Sequence, residues 1–482
     1  MDDPAFAPSP TSGIDITTQT ILLHASNHDL PALKPLLRVP GNASVQDPET
    51  GFTPLHAAIA ACGAVKPSSS STVASTGNGE VKKEGDAVKK VGEVEGQGEE
   101  EEEEVDIEKA KKVVEELFFS GAIWNDLDVN NETPGCLAYR LGRMELYEMC
   151  VNAGVRAELL LGLMGGYEEL EGEDSDMDEV GDEEVEAGSA AAEGQGEMDA
   201  QGRLNGTTKQ HDLAVGPAEE VVLSHQTQEP PQPPKKDVNS ADYLASSLTF
   251  TTSKLLDSDN NGVMMAWESD IMRRTVDLLL LPSAPASTPK SGARILNIGF
   301  GMGIIDRMFR DTQPLKHHII EAHPGVLQKL SEPDSDFGKS WEESAPETSE
   351  GGEGAYKIYP GKWQDICPLL LRAGEVYDAI YFDTFGEDYA QLKLFFTEVI
   401  PGLLDSEGAF GFFNGLGADR RVCYDVYCKV VEMDCLEAGL DVEWTDVDVD
   451  ALGGEGEGEW EGVRRRYWVL ERYRLPVCRF LG

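Results

Sequence analysis

Residues 293–305 read Ala-Arg-Ile-Leu-Asn-Ile-Gly-Phe-Gly-Met-Gly-Ile-Ile, a short apolar run that passes through three glycines into a second apolar run. The pattern predicts a strand at 294–298, a tight turn, and a helix over 302–310. Glycine at Gly299, Gly301 and Gly303 suits a backbone that turns through positive φ and leaves room for a ligand that a Cβ would exclude. About twenty residues on, a second strand-like run at 317–320 ends in Glu321, whose carboxylate can accept both hydroxyls of a ribose. A ribose-bearing cofactor is expected at this turn.

The glycine spacing narrows the choice. A dinucleotide fingerprint has Gly-x-Gly-x-x-Gly/Ala, so that a helix N-terminus can cradle a pyrophosphate. Its third small residue would fall at Ile304, whereas the third glycine here comes one place earlier. Gly-x-Gly-x-Gly after a strand suits S-adenosylmethionine, which carries a ribose and an adenine and no phosphate.

The rest of the chain surrounds that site with very uneven charge. The 482 residues carry a formal net charge of −48. Residues 80–108, 168–200, 332–353 and 453–461 together account for −35 of it. Such Glu/Gly/Ser-rich runs bury too little apolar area to offset the entropy of ordering them, so they read as solvated inserts. Their sign disfavours direct contact with nucleic acid and favours a basic protein partner. Eight cysteines occur without a Cys-x-x-Cys pair or a Cys/His cluster at zinc spacing, which leaves no metal site to propose. No run of some 18 apolar residues and no basic-then-apolar leader is present, so the expectation is a soluble intracellular protein that does not engage membranes.

Two domains flank an acidic linker. Residues 14–165 contain Gly51-Phe52-Thr53-Pro54-Leu55-His56-Ala57-Ala58, which matches the ankyrin signature, and a degraded copy at Thr133-Pro134-Gly135-Cys136-Leu137-Ala138. In that signature Thr and Pro start a helix and His braces the turn. The copies lie 80 residues apart, so a period of about 33 leaves about 47 residues over, matching an insert at about 64–106. A short all-α ankyrin stack of about three units follows from this. Residues 166–237 are acidic and then Gln/Pro-rich, predicting a disordered linker. From 238 to 482, strands and helices alternate, as in an α/β Rossmann-like domain with a parallel sheet. The runs 442–449 and 466–474 read as an antiparallel hairpin appended to that sheet, with mobile loops at about 332–355 and 453–461.

In an open parallel sheet, ligands lie at the carboxyl ends of the strands. The glycine turn, Glu321, Trp363 with Gln364, and Asp383 all fall there. Taken in order, Val-Met-Met-Ala-Trp-Glu-Ser-Asp-Ile-Met (263–272), Ile-Gly-Phe-Gly-Met-Gly (298–303), Ile-Ile-Glu-Ala-His-Pro-Gly-Val (319–326), Gly-Lys-Trp-Gln-Asp (361–365) and Tyr-Phe-Asp-Thr-Phe (381–385) resemble the guanidinoacetate methyltransferase family. With ankyrin repeats in front, the chain is similar to the fungal branch of that family, the type IV protein arginine methyltransferases. The resemblance implies a class I S-adenosylmethionine-dependent methyltransferase domain at 238–482.

It also implies cofactor contacts from Tyr243, Met264, Met272, Phe300, Gly301, Met302, Gly303, Ile304, Ile305, Glu321, Ala322, His323, Trp363, Gln364 and Asp383, with Glu268 and Asp383 holding the guanidino group. The implied reaction is monomethylation of the δ-nitrogen of arginine in a basic protein, a large-subunit ribosomal protein, by a monomeric enzyme. Two readings compete with it. A small-molecule guanidino methyltransferase would not need residues 1–237, and an ankyrin adaptor with a dead cofactor fold would be expected to lose Glu268, Glu321 and Asp383, which are expensive to hold together.

Overall fold

The computed structural model describes residues 15–65, 96–164, 239–281, 292–346 and 354–482, with side chains from Ile107 onward in the helix that begins at Gly96. The expected linker at 166–237 and most of the expected insert, 66–95, lie outside the described residues. Residues 15–164 and 239–482 belong to one compact unit.

The N-terminal part is built from six helices, α1 (Ile16–Ser26), α2 (Leu30–Leu37), α3 (Pro54–Ala60), α4 (Gly96–Phe119), α5 (Pro134–Arg140) and α6 (Met144–Met164). The two Thr-Pro steps start helices as their residues dictate. Thr53 and Thr133 are extended, each side-chain oxygen accepts from the backbone N–H three residues on, and proline occupies the first turn, where its missing N–H is no loss. His56 closes a capping box: its Nδ1 accepts from Thr53 N at 3.2 Å, so its Nε2 donates to Glu132 O at 3.0 Å across 76 residues. The loops before α3 and α5 touch as well, with Val129 N donating to Thr50 O at 3.0 Å. Helix α4 reaches back to Gly96, into the stretch expected to be unstructured. A run of glutamates has good intrinsic helix propensity and lies near the positive end of the helix dipole.

The second part opens with α7 (Ser240–Ala245) and a small antiparallel sheet of β1 (Thr249–Phe250), β2 (Lys254–Leu256) and β3 (Gly262–Met265), followed by α8 (Ser269–Leu279). Then come β4 (Arg294–Ile298), α9 (Ile304–Asp311), β5 (Lys316–Glu321), α10 (Pro324–Leu330), α11 (Lys339–Glu342), β6 (Tyr356–Pro360), α12 (Trp363–Ala373) and β7 (Tyr377–Phe382). The chain ends with α13 (Tyr389–Leu394), α14 (Ile400–Leu403), β8 (Leu404–Phe412), α15 (Arg421–Glu437), β9 (Leu440–Asp448) and β10 (Arg472–Phe480). The large sheet has the order β6-β5-β4-β7-β8-β10-β9, parallel through its first five strands, with the β9–β10 hairpin antiparallel at one edge. Strand order reverses between β4 and β7, and this is the switch point where a crevice opens. Both sheet faces are covered. Along β7, Ala379 and Tyr381 pack on one side while Ile380 and Phe382 pack on the other, the two-residue alternation of a strand buried on both faces.

Three expectations about the loops need correction. The second hairpin arm is β10, starting at Arg472; before it, Tyr467 lines the crevice while Trp468 is buried in the sheet core, its indole N–H donating to Leu470 O at 2.6 Å. The described part of 332–355 is anchored at two points, since Phe337 and Trp341 join Phe300, Ile319 and Val326 in a core cluster. In 453–461, Trp460 is buried and sits edge-on to Tyr467 at 4.9 Å. In each case one or two large aromatics outweigh the surrounding glycine and glutamate.

The N-terminal helices do not hang from the linker; they pack against α15. That helix carries Val422, Val426 and Val430 on one face, all buried in the N-terminal core cluster, and Tyr424 and Cys428 on another, buried in the sheet core. Glycine makes the approach possible. A Cβ on Gly135 or Gly154 would come within 2.6 Å of Val422 Cγ2 or Val426 Cγ2, respectively. Polar groups rim the contact: the Tyr147 hydroxyl donates to Asp425, and the Tyr427 hydroxyl donates to Glu158 at 3.1 Å. Gly154→Leu is therefore expected to destabilise the protein by about 1–3 kcal/mol, the range for overpacking a tight contact. Gly162→Leu, on the same helix with no atom near its Cβ position, should show no such loss in urea denaturation. Equal midpoints for the two variants would contradict the close packing.

Candidate active site

The glycine turn after β4 forms one wall of the crevice. Gly299, Gly301 and Gly303 have φ of 91°, 55° and 69°, a region that side chains rarely enter. Their missing side chains make room for the protein itself. A Cβ on Gly299 would lie 1.9 Å from the Asp383 carbonyl oxygen, one on Gly301 2.9 Å from Met264 Sδ, and one on Gly303 2.3 Å from the Phe300 ring. The turn thus brings the ends of β4 and β7 together and seats β3 over the loop. Below it, Asn297 Nδ2 donates to Gly299 O and to Asp306, each at 2.8 Å, and Asp306 meets His317 Nε2 at 3.0 Å, all three residues fully buried.

Glu321 ends β5 beside the turn. One carboxylate oxygen accepts from Phe300 N at 2.9 Å and the other from His323 N at 2.6 Å. Burial raises its proton affinity and these backbone bonds oppose that. Gly301 N adds a longer bond of 3.4 Å to the oxygen that Phe300 holds, and the residue faces the crevice, so a carboxylate fixed by backbone amides is presented to ribose hydroxyls. His323 does not face the crevice. Its Nδ1 accepts from Gly325 N at 3.0 Å and its Nε2 donates to Tyr243 O at 3.0 Å, so it anchors α7, which carries Tyr243 into the wall.

The crevice encloses a cavity of about 410 Å³. Of the residues singled out in the sequence, Tyr243, Met264, Glu268, Gly299, Gly301, Glu321, Ala322, Trp363, Gln364 and Asp383 line it. Met272, Phe300, Met302, Gly303, Ile304 and Ile305 stand behind that lining. Met272 is buried in the core with α8, where its helical spacing from Ile271 and Val276 serves packing. Met302 donates its backbone N–H to Met264 Sδ at 3.2 Å, and Ile304 and Ile305 begin the buried face of α9. Two lining residues carried no sequence signal. Tyr467, some two hundred residues from Glu268, donates its hydroxyl to Glu268 Oε1. Glu387 accepts from Trp363, Gln364 and Thr384.

Glu268 and Asp383 are the chemically distinctive pair. Burial, then the charge of Asp383, pushes the Glu268 proton affinity well up, against the Tyr467 bond. Burial, then the charge of Asp306, pushes Asp383 up to about 7. Asp383 Oδ2 is buried without a hydrogen-bond partner among the described residues. Two carboxyls that repel one another, Glu268 buried and Asp383 half-buried with one buried, open oxygen, suit a ligand that is cationic and donates several hydrogen bonds.

The guanidinoacetate N-methyltransferase family matches residues 245–414. Protein arginine N-methyltransferase 2 of Gibberella zeae is 52% identical over 453 residues, covering 94% of this chain and 90% of that protein. The protein of the same name from Neurospora crassa is 51% identical over 470 residues, 96% of both chains. Among solved structures, Aeropyrum pernix fibrillarin in complex with S-adenosyl-L-methionine is 14% identical, covering 51% of this chain and 84% of that chain, with a TM-score of 0.26. Identity above one half, sustained over more than nine-tenths of the sequence, means that this chain belongs to the protein arginine N-methyltransferase 2 family.

Proposed function

We propose that the enzyme monomethylates the δ-nitrogen of an arginine in a basic protein, a large-subunit ribosomal protein, acting as a monomer in cytoplasm and nucleus. The methyl donor is S-adenosylmethionine, which supplies an electrophilic methyl group on a sulfonium. Glu321 would hold the ribose, and Tyr243, Met264, Trp363 and Gln364 would hold the remainder. The observation that carries the reading is the pair of buried Glu268 and half-buried Asp383, with Asp383 Oδ2 buried and unpartnered among the described residues.

A guanidinium remains protonated up to a pKa above 12 and offers five N–H donors in a planar fork. Two carboxylates that engage its terminal nitrogens fix its rotation and leave the secondary δ-nitrogen to face the methyl donor. Tyr467 holds Glu268 in place through Oε1. A carboxyl whose proton affinity is already raised to about 7 is matched to take the proton that leaves nitrogen when the new C–N bond forms. The net charge of −48 favours a basic substrate. We assign α1 to α6 to ankyrin units on the strength of their Thr-Pro starts and the His56 brace, and we assign substrate docking to the stacked loops before α3 and α5.

Incubation with S-adenosylmethionine and a basic ribosomal protein fraction should yield δ-monomethylarginine and no ω-methylarginine by fragment-ion mass spectrometry. Methylation of free guanidinoacetate alone would instead support the small-molecule reading. Asp383→Asn and Glu268→Gln should each lower turnover by about 10²-fold, the scale for losing acid–base or orienting chemistry. Near-normal turnover in both would contradict the two-carboxylate scheme.

The pH dependence has a definite sign. With Asp383 raised to about 7, kcat/KM should rise with pH through about 7 as the carboxylate forms. Stability should move the other way. Between the ordinary value of 3.8 and about 7, the folded chain holds a proton that the unfolded chain has released, so stability falls as pH rises across that window and levels off above it. At pH 8, Asp383→Asn should therefore be more stable than the unsubstituted enzyme, by up to roughly 4 kcal/mol. Urea denaturation at pH 5 and pH 8 reads this directly, and a variant that is less stable at both would count against the burial argument.

A further inference from the structure

Glu387 lies four residues beyond Asp383 and has no part in the scheme above, yet three donors converge on it. Its carboxylate accepts from the Trp363 indole N–H at 3.1 and 3.2 Å, from Gln364 Nε2 at 2.9 Å and from the Thr384 hydroxyl at 2.7 Å. All four residues line the cavity. Gln364 Nε2 has a second acceptor, Gln391 Oε1, at 3.0 Å. A carboxylate only accepts hydrogen bonds, so the amide nitrogen of Gln364 has to face Glu387 and its carbonyl has to face away. That carbonyl, Gln364 Oε1, is buried and has no partner among the described residues. A buried acceptor without a donor is costly and points to a ligand that brings one.

Strand order says which part of a nucleoside that would be. Along the carboxyl edge the order is β6, β5, β4, β7. Asp383 after β7 marks the reacting end, Glu321 after β5 holds the ribose, and Trp363 and Gln364 after β6 are left for the base. An N9-linked adenine has one N–H donor group, its exocyclic amine. A hypoxanthine has a carbonyl at the same position, which would meet Gln364 Oε1 acceptor to acceptor.

We propose that Glu387 locks the Gln364 amide in one orientation and so makes the cavity selective for an adenine over a hypoxanthine base. This inference rests on the S-adenosylmethionine reading of the site. Glu387 is a positioning residue, and it acts through Gln364.

The test is calorimetric titration of the full chain with S-adenosylhomocysteine and S-inosylhomocysteine, which needs no turnover. The unsubstituted protein should bind the adenosyl compound about 10- to 100-fold more tightly, the scale for leaving a buried acceptor unpaired. In Glu387→Gln the new amide can donate as well as accept, so Gln364 can flip and the ratio should fall below about threefold. Glu387→Asp keeps the charge and draws the carboxylate back by one methylene, and its ratio should fall at least about threefold as its bond to Gln364 is lost. Melting curves without ligand establish which variants fold. A folded variant of either kind that keeps the original ratio overturns the inference, as does an unsubstituted protein that binds both compounds equally. If it binds neither, the cofactor reading itself falls and takes the inference with it.

Discussion

The architecture of the site depends on one absent methyl group. Gly299 sits where a Cβ would come 1.9 Å from the backbone oxygen of Asp383, closer than any two unbonded heavy atoms can approach. Because that position is bare, β4 and β7 can run side by side to their carboxyl ends, with Asp383 N donating to Ile298 O at 2.8 Å. The switch point of the sheet, the direction of the glycine turn and the placement of Asp383 over the cavity follow from this approach. Any larger residue would push apart the two strands whose ends define the site, so the constraint is steric and local, while its effect reaches the whole crevice.

Around that hinge the molecule gathers an unusual amount of buried acid. Asp and Glu are seldom fully buried unless paired, yet Glu268, Asp306 and Glu321 are buried here, Asp383 is half-buried beside them, and each of the four has its proton affinity raised, with burial the first cause. Glu321 and Asp306 are compensated by backbone amides or by Asn297 and His317. Asp383 is not, and Glu268 has the Tyr467 hydroxyl. The two least compensated carboxyls are therefore the two that face the proposed substrate, and a bound cation would relieve a tension that folding leaves in place.

The sequence made the sheet legible because its signals are local. Strand β4, the glycines and helix α9 occupy eighteen consecutive residues, and the alternation of β7 between two apolar faces can be read without knowing its neighbours. The same holds for Thr53 and Thr133, whose capping roles depend on the next three residues. What stayed hidden depends on partners far along the chain. Tyr467 reaches Glu268 over 199 residues, and nothing in Arg466-Tyr467-Trp468 distinguishes it from a strand, so the sequence pattern extends the hairpin arm back to 466. Met272 and His323 are cofactor contacts by family resemblance alone, and in the structure the first packs in the core and the second pins α7. The acidic stretches misled in a different way, since composition outvoted Phe337, Trp341 and Trp460, each of which is buried.

The valine face of α15 has a consequence for how the chain can be divided. Val422, Val426 and Val430 are covered by helices that precede them by more than 250 residues, so the covalent path between the two parts is not what keeps them together. Cleavage anywhere between residues 165 and 238 would leave two pieces joined by an apolar seam with a polar rim, and such a nicked protein would run as one species until denatured. The two halves thus behave as subunits of a heterodimer that happen to share a chain, and a change on one side of the seam constrains the side chains that the other can carry.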